Sequence, residues 1–288
     1  MSKEENWDLV IEANHREASF NLSELKRYKD LILMFVKRDF ISLYKQTILG
    51  PLWVIIQPVL TTITFTIVFG KIAQIDTGEN VPSVLFYMIG ITAWNYFSDC
   101  VTKTSDTFTT NQNIFGKVYF PRLVVPISIV ISNLIKFAVQ LLLFLLIYFY
   151  FIIIKPVNFY PSIILLMTPV LVLTMASLSL GIGAIISSLT TKYRDLKFLI
   201  QFGIQLAMYA TPIVYPLNSP GISEKYKFIL QLNPMTNIIE GFKVAFFGSS
   251  EGVFSWVWML YSIVISVIIL FIGSRIFNKM EKSFVDTI

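Results

Sequence analysis

The sequence predicts an all-α integral membrane protein. It should have six transmembrane helices, an N-terminal amphipathic interfacial helix, and a re-entrant outer helical hairpin between spans five and six. Three observations carry that prediction. Only 14% of the 288 residues are Asp, Glu, Lys or Arg, where a soluble domain has about 25%. Hydrophobic residues reach 55% and aromatic residues 15%, with a mean hydropathy of +0.68. Apolar runs also recur at about the 20 residues that a helix needs to cross roughly 30 Å of hydrocarbon. An ordinary soluble enzyme, a disordered tail and a disulfide-stapled domain are excluded. The single cysteine, Cys100, allows no intrachain disulfide, and the single histidine, His15, leaves little for metal ligation.

Residues 1–50 form the expected cytoplasmic N-terminus and interfacial helix. They are charged and lack an apolar core with a cleavage site, so no signal peptide is expected. From Leu22 to Leu49, Leu25, Tyr28, Ile32, Phe35, Val36, Phe40 and Leu43 recur at helical spacing. Lys26, Lys29, Lys37, Arg38 and Lys45 sit between them. That pattern suits a helix lying at the membrane surface with its basic groups toward lipid phosphates. A cytoplasmic helix packed on the protein's own loops is the alternative.

The transmembrane domain spans 51–276. Its runs are Leu52–Gly70, Ser83–Val101, Leu123–Ile154, Pro161–Leu189, Leu196–Tyr215 and Val253–Ile276, followed by a cytoplasmic tail at 277–288. The third and fourth exceed a simple crossing and should tilt, kink or protrude. Seventeen of the 23 Lys and Arg fall before span one, in the connections 2–3 and 4–5, and in the tail. Five fall on the other side, and Lys136 lies within a span. This asymmetry places both termini in the cytoplasm, in a multi-pass protein of the inner or plasma membrane. The net charge of +5 is then topological rather than a nucleic-acid footprint.

The outer connection from Pro216 to Gly252 is too apolar for a free loop, and Asn233-Pro234 divides it. Two short helices bent into the outer leaflet, 222–247, are expected as an external gate, with Tyr226, Asn233, Pro234 and Phe242 as gate candidates. Inside the spans, Ser128, Ser132, Asn133, Lys136 and Gln140 share one face of the third helix. Gln57, Thr61 and Thr64 mark the first, and Gln201, Gln205 and Tyr209 the fifth. A mid-bilayer Lys costs about 2.5–3.5 kcal/mol and should face water, a partner helix or a polar substrate. Interhelical hydrogen bonding is the competing role for these stripes. They hold no carboxylate, which argues against a proton- or sodium-coupled carrier, whereas amides, hydroxyls and rings suit a sugar chain. In the fourth span, Thr174, Ser177, Gly181, Ala184 and Ser188 read as a packing face.

No P-loop, H-E-x-x-H or G-x-S-x-G pattern occurs. Asp99, Asp106 and Asp195 lie near expected membrane boundaries without forming a D-x-D pair, and cap or surface roles suit them. Any work must therefore draw on energy from elsewhere.

RDFISLYKQTILGPLWVIIQP (Arg38 to Pro58), KVYFPRLVVP (Lys117 to Pro126), TPIVYP (Thr211 to Pro216) and NPMTNIIEGFKVAFFG (Asn233 to Gly248) occur in that order. Together they resemble the polysaccharide-exporting ABC type-2 transporter permeases, from about Leu25 to the last span. The resemblance implies a homodimer of permeases with two separate ABC ATP-binding subunits, a 2:2 complex exporting lipid-linked glycans such as O-antigen or teichoic acid. No cofactor is expected on this chain; ATP and Mg belong to the partner. Residues 105–117 would be the coupling segment, with Asn111, Ile114 and Phe115 meeting the ATPase. Gln57, Thr61, Asn133, Lys136, Gln140, Gln201, Gln205 and Tyr209 are candidates for the substrate channel. Arg38, Lys45 and Arg122 are candidates for the lipid pyrophosphate. A type-2 permease for a drug or another lipid would share the fold. A membrane-embedded glycosyl- or acyltransferase, working through a residue such as Asp99, and a passive channel are the readings from other classes.

Overall fold

The computed structural model describes residues 22–45, 48–78, 81–118, 120–154, 159–193, 195–219, 221–248 and 252–285. Residues 1–21 of the expected N-terminus, Lys155 and Arg194 of the charge count, and residues 286–288 of the tail lie outside this description. Every described element is helical. The amphipathic stretch is broken at Tyr28 into α1 (Leu22–Arg27) and α2 (Lys29–Tyr44). Gly50–Leu52, α3 (Trp53–Phe65) and a π-helical end, Thr66–Ile72, make one continuous apolar helix, Gly50–Ile72. Next come α4 (Ser83–Ser105), two single turns, α5 (Thr107–Thr110) and α6 (Gln112–Phe115), and α7 (Val124–Ile154). A 3-10 turn, Ile163–Met167, leads into α8 (Thr168–Thr190), and α9 (Leu196–Tyr209) follows. The chain ends with α10 (Glu224–Gln231), α11 (Pro234–Phe247) and α12 (Trp256–Val285).

Among the described residues, four helices are long and apolar enough to cross a membrane: Gly50–Ile72, Val124–Ile154, Ile163–Thr190 and Trp256–Met280. These are the first, third, fourth and sixth expected spans. The second, α4, has comparable length at 23 residues but is less apolar, because Asn95, Asp99 and Lys103 interrupt it. It can carry them because it sits at the centre of the bundle, packed by α3, α7, α8 and α11, so little of it meets an apolar solvent. The fifth differs from expectation. Composition stays apolar to Tyr215, yet the helix stops at Tyr209 and the chain turns through Thr211-Pro212. Its 14 residues reach only about 21 Å at 1.5 Å per residue. The tail also differs: α12 runs on to Val285, and Phe277 is fully buried, stacked 4.6 Å from Phe108.

The small-residue face of the fourth span does pack, and its partner is within the chain. α8 lies along α12, and a Cβ added at Gly273 would stand 2.3 Å from the Gly181 carbonyl oxygen. The two backbones approach closely enough that neither glycine can carry a side chain without a shift. α8 meets α4 on another side, where the Thr190 hydroxyl donates to the Ser105 carbonyl at 2.8 Å. This face is therefore used within the chain.

Candidate functional site

Three places gather chemistry. The first is a cavity of about 190 Å³ between the first turns of the α3 helix, α4 and α7. Gly50, Trp53, Val54, Gln57, Asn95, Asp99, Lys136 and Gln140 line it. Lys136 Nζ donates to Asp99 Oδ2 at 3.1 Å, with the side chains 18% and 45% exposed. Gln140 Nε2 donates to the Val54 carbonyl at 3.3 Å, which ties α7 to α3. One turn further along α4, Lys103 Nζ donates to Asn133 Oδ1 at 3.0 Å, and Asp106 pairs with Lys197 at 2.6 Å. The residues at 95, 99 and 103 thus recur at four-residue spacing, the one signal that could have placed them on a working face. The stripes themselves hold no carboxylate, but α4 brings one to them: Asp99 is the counter-ion of Lys136.

Of the channel candidates, the fold brings Gln57, Lys136 and Gln140 together. Thr61 is half-buried and donates to the Gln57 carbonyl at 2.9 Å. Asn133 is buried behind Lys103. Gln201, Gln205 and Tyr209 do not join the cavity. They lie exposed on α9, none of whose residues is buried and which touches α4 and α8.

The second place is the hairpin. Asn233 adopts an extended conformation, its side chain accepts from the Met235 N–H at 3.0 Å, and Pro234 occupies the first turn of α11. The local sequence therefore starts α11 by the usual cap chemistry. Gly248, at φ +90°, ends it. α10 is amphipathic and leaves Tyr226 exposed, but every residue of α11 from Met235 to Phe247 is buried. Phe242 is completely enclosed and lies 6.1 Å from Phe137.

Within α11 Lys243 and Glu240 form an ion pair at 2.9 Å with side chains 0% and 2% exposed. Lys243 also donates to the Pro212 carbonyl and stands 3.9 Å above the Phe86 ring. Glu240 Oε2 accepts from the Val253 N–H at 3.0 Å. One pair therefore fastens α11 to α4, to the turn after α9 and to the lead into α12. Lys243 is one of the five cations that the charge count assigns to the other side of the membrane. Its i,i+3 spacing from Glu240 was the signal for a pair.

The third place is the surface formed by α2, α5 and α6. Leu25, Phe35, Phe108, Phe115, Phe120 and Phe277 form a separate apolar cluster there. Arg122 lies buried with its guanidinium 5.2 Å from the Phe115 ring. Asn111 is buried, its amide donating to the Thr107 carbonyl at 3.0 Å, and Ile114 is half-buried. The side chains that project outward are Thr109, Thr110, Gln112, Asn113, Lys117 and Val118. Arg38 is 42% exposed and hydrogen-bonded to Asp39, and Lys45 is exposed at the end of α2. Leu33, Met34 and Ile41 are exposed on the same helix.

A family model described as ABC-2 type transporter matches residues 30–247. The chain is 26% identical over 266 residues to an O-antigen export system permease protein RfbA of Myxococcus xanthus, covering 92% of this chain and 98% of that protein. It is 28% identical over 262 residues to a protein of the same description from Klebsiella pneumoniae, covering 89% and 94%.

Proposed function

This chain belongs to the ABC-2 type transporter family, and we propose that it serves as the membrane-spanning permease of an ATP-driven exporter of lipid-linked polysaccharide. The observation that carries this reading is the end-to-end likeness to proteins described as O-antigen export permeases. Two copies would assemble with two ATP-binding subunits, which hold ATP and Mg. α4 and α9 would complete the six crossings, α9 being extended by the turn to Tyr215, with both termini cytoplasmic in the inner or plasma membrane.

In this mechanism α2 lies at the cytoplasmic interface, its exposed Leu33, Met34 and Ile41 in the lipid and Arg38 and Lys45 toward the carrier pyrophosphate. Arg122 braces the coupling segment from within, its guanidinium against Phe115. The outward side chains of 109–118 seat in the ATPase, and Asn111, Ile114 and Phe115 form the inner wall of that segment. ATP closes the ATPase dimer, and the closure presses on α5 and α6. Phe108 and Phe277 pass the push to α12, and the short links from Asp106 to Lys197 and from Lys103 to Asn133 pass it to α9 and α7. The exposed amides and ring of α9, Gln201, Gln205 and Tyr209, face a channel between protomers. Many weak contacts and no deep well let a polymer advance. The α10–α11 hairpin closes the outer end, with Tyr226 free to move and α11 fixed.

The test is to tag the chain, solubilise native membranes gently and identify what accompanies it. An ATP-binding subunit at one copy per permease is expected. A chain that purifies alone in every mild detergent would overturn the reading.

A further inference from the structure

We propose that the cavity between α3, α4 and α7 is a binding subsite for a single neutral sugar ring. It lies at the end of the bundle that carries α2 and the α5–α6 segment. The inference rests on the export reading and adds to it a defined place on this chain where one residue of the glycan is held. Its volume of about 190 Å³ is ample for several waters and suits a single pyranose seated in its open mouth. Its chemistry narrows the ligand further. Asp99 supplies carboxylate acceptors and Gln57 and Asn95 supply both donors and acceptors, the complement that vicinal hydroxyls require. Trp53, half-exposed at the rim, supplies an aromatic face for the apolar side of the ring.

Two other ligand classes fit poorly. An anion would meet Lys136, but that ammonium is already engaged by Asp99 at 3.1 Å, and the carboxylate would repel it. An apolar drug would leave the polar wall without hydrogen-bond partners, which disfavours its burial there. The pair has a second consequence. Lys136 holds the Asp99 carboxylate against the wall, so the acceptor is fixed in place before the ligand arrives, which lowers the ordering cost of binding.

The experiment uses the full-length chain in nanodiscs, with whatever subunit accompanies it through purification. Saturation-transfer NMR would be recorded with methyl glycosides of glucose, galactose, mannose and rhamnose, and inorganic phosphate would be titrated separately. At least one glycoside should bind in fast exchange. Its affinity should fall tenfold or more in Trp53→Ala and Asp99→Asn, and should be unchanged in Trp256→Ala, an exposed tryptophan outside the cavity. Gln57→Ala, an exposed position, should also weaken binding, and it keeps the test valid should Asp99→Asn misfold. Binding of no glycoside, binding unaltered by Trp53→Ala and Gln57→Ala, or binding of phosphate in place of glycosides would overturn the subsite. A chain that carries an ATPase but binds no glycoside loses only the subsite. A chain that binds glycosides but carries no ATPase loses only the export reading.

Discussion

Among the lysine–carboxylate pairs of the described residues, two of nearly equal length stand in opposite circumstance. Lys243–Glu240 is sealed at 0% and 2% exposure, with a carbonyl, an amide and an aromatic ring filling its remaining capacity. Lys136–Asp99 opens on a cavity, with Asp99 still 45% exposed. Burial decides what each can do. A sealed pair has no capacity left for a ligand, and it holds its surroundings because losing either partner strands a charge. An open pair is screened and contributes little to stability, which frees it to meet a substrate. The α10–α11 hairpin is therefore fastened by the first, and the polar face of α4 opens on the cavity through the second.

The sharpest way to break this contrast is to cut the sealed pair. Glu240→Ala or Lys243→Ala should cost about 3–5 kcal/mol, read as a large fall in the melting temperature of the detergent-solubilised chain. Glu240→Met/Lys243→Met should recover part of the loss and not all, because the Val253 N–H and Pro212 carbonyl would still lack partners. Next in size, Gly273→Ala drives a methyl into the Gly181 carbonyl and should cost about 1–3 kcal/mol. It calibrates what a packing defect alone does to export. Asp99→Asn should lower stability by about 1 kcal/mol or less after allowing for its exposure, yet reduce polymer export severalfold in the same membranes. Equal stability losses at Asp99 and Glu240 would dissolve the distinction. The smallest structural effect is expected from Arg38→Glu and Lys45→Glu, both exposed, which should slow export while assembly with the partner subunit is retained, as measured by co-purification.

Much of this was legible in the sequence. Four long apolar runs became the four long apolar helices, and Asn233-Pro234 marked the start of α11 because cap and proline chemistry are local. The fifth helix was overread because hydropathy continued past the point where Thr211-Pro212 turns the chain. Helical spacing found Lys136 and Gln140 on one face of α7, but it could not supply Asp99, which is distant in sequence and reaches Lys136 only by the crossing of two helices. The burial of Lys243 was illegible for a related reason: the dryness of α11 comes from α4, α8 and α12 packing around it, and no single segment records that. The resemblance makes Asn111 and Phe115 candidate contacts with the ATPase, whereas in the fold both are buried, Phe115 in the aromatic cluster at the end of the bundle.

The most direct measurement is ATP-dependent movement of lipid-linked polysaccharide in proteoliposomes that contain this chain and its ATP-binding partner. Polymer should become accessible on the far side only with hydrolysable ATP, and only when both subunits are present. Movement without ATP, or transfer of sugar or acyl groups by this chain alone, would contradict an exporter and place its chemistry in another class.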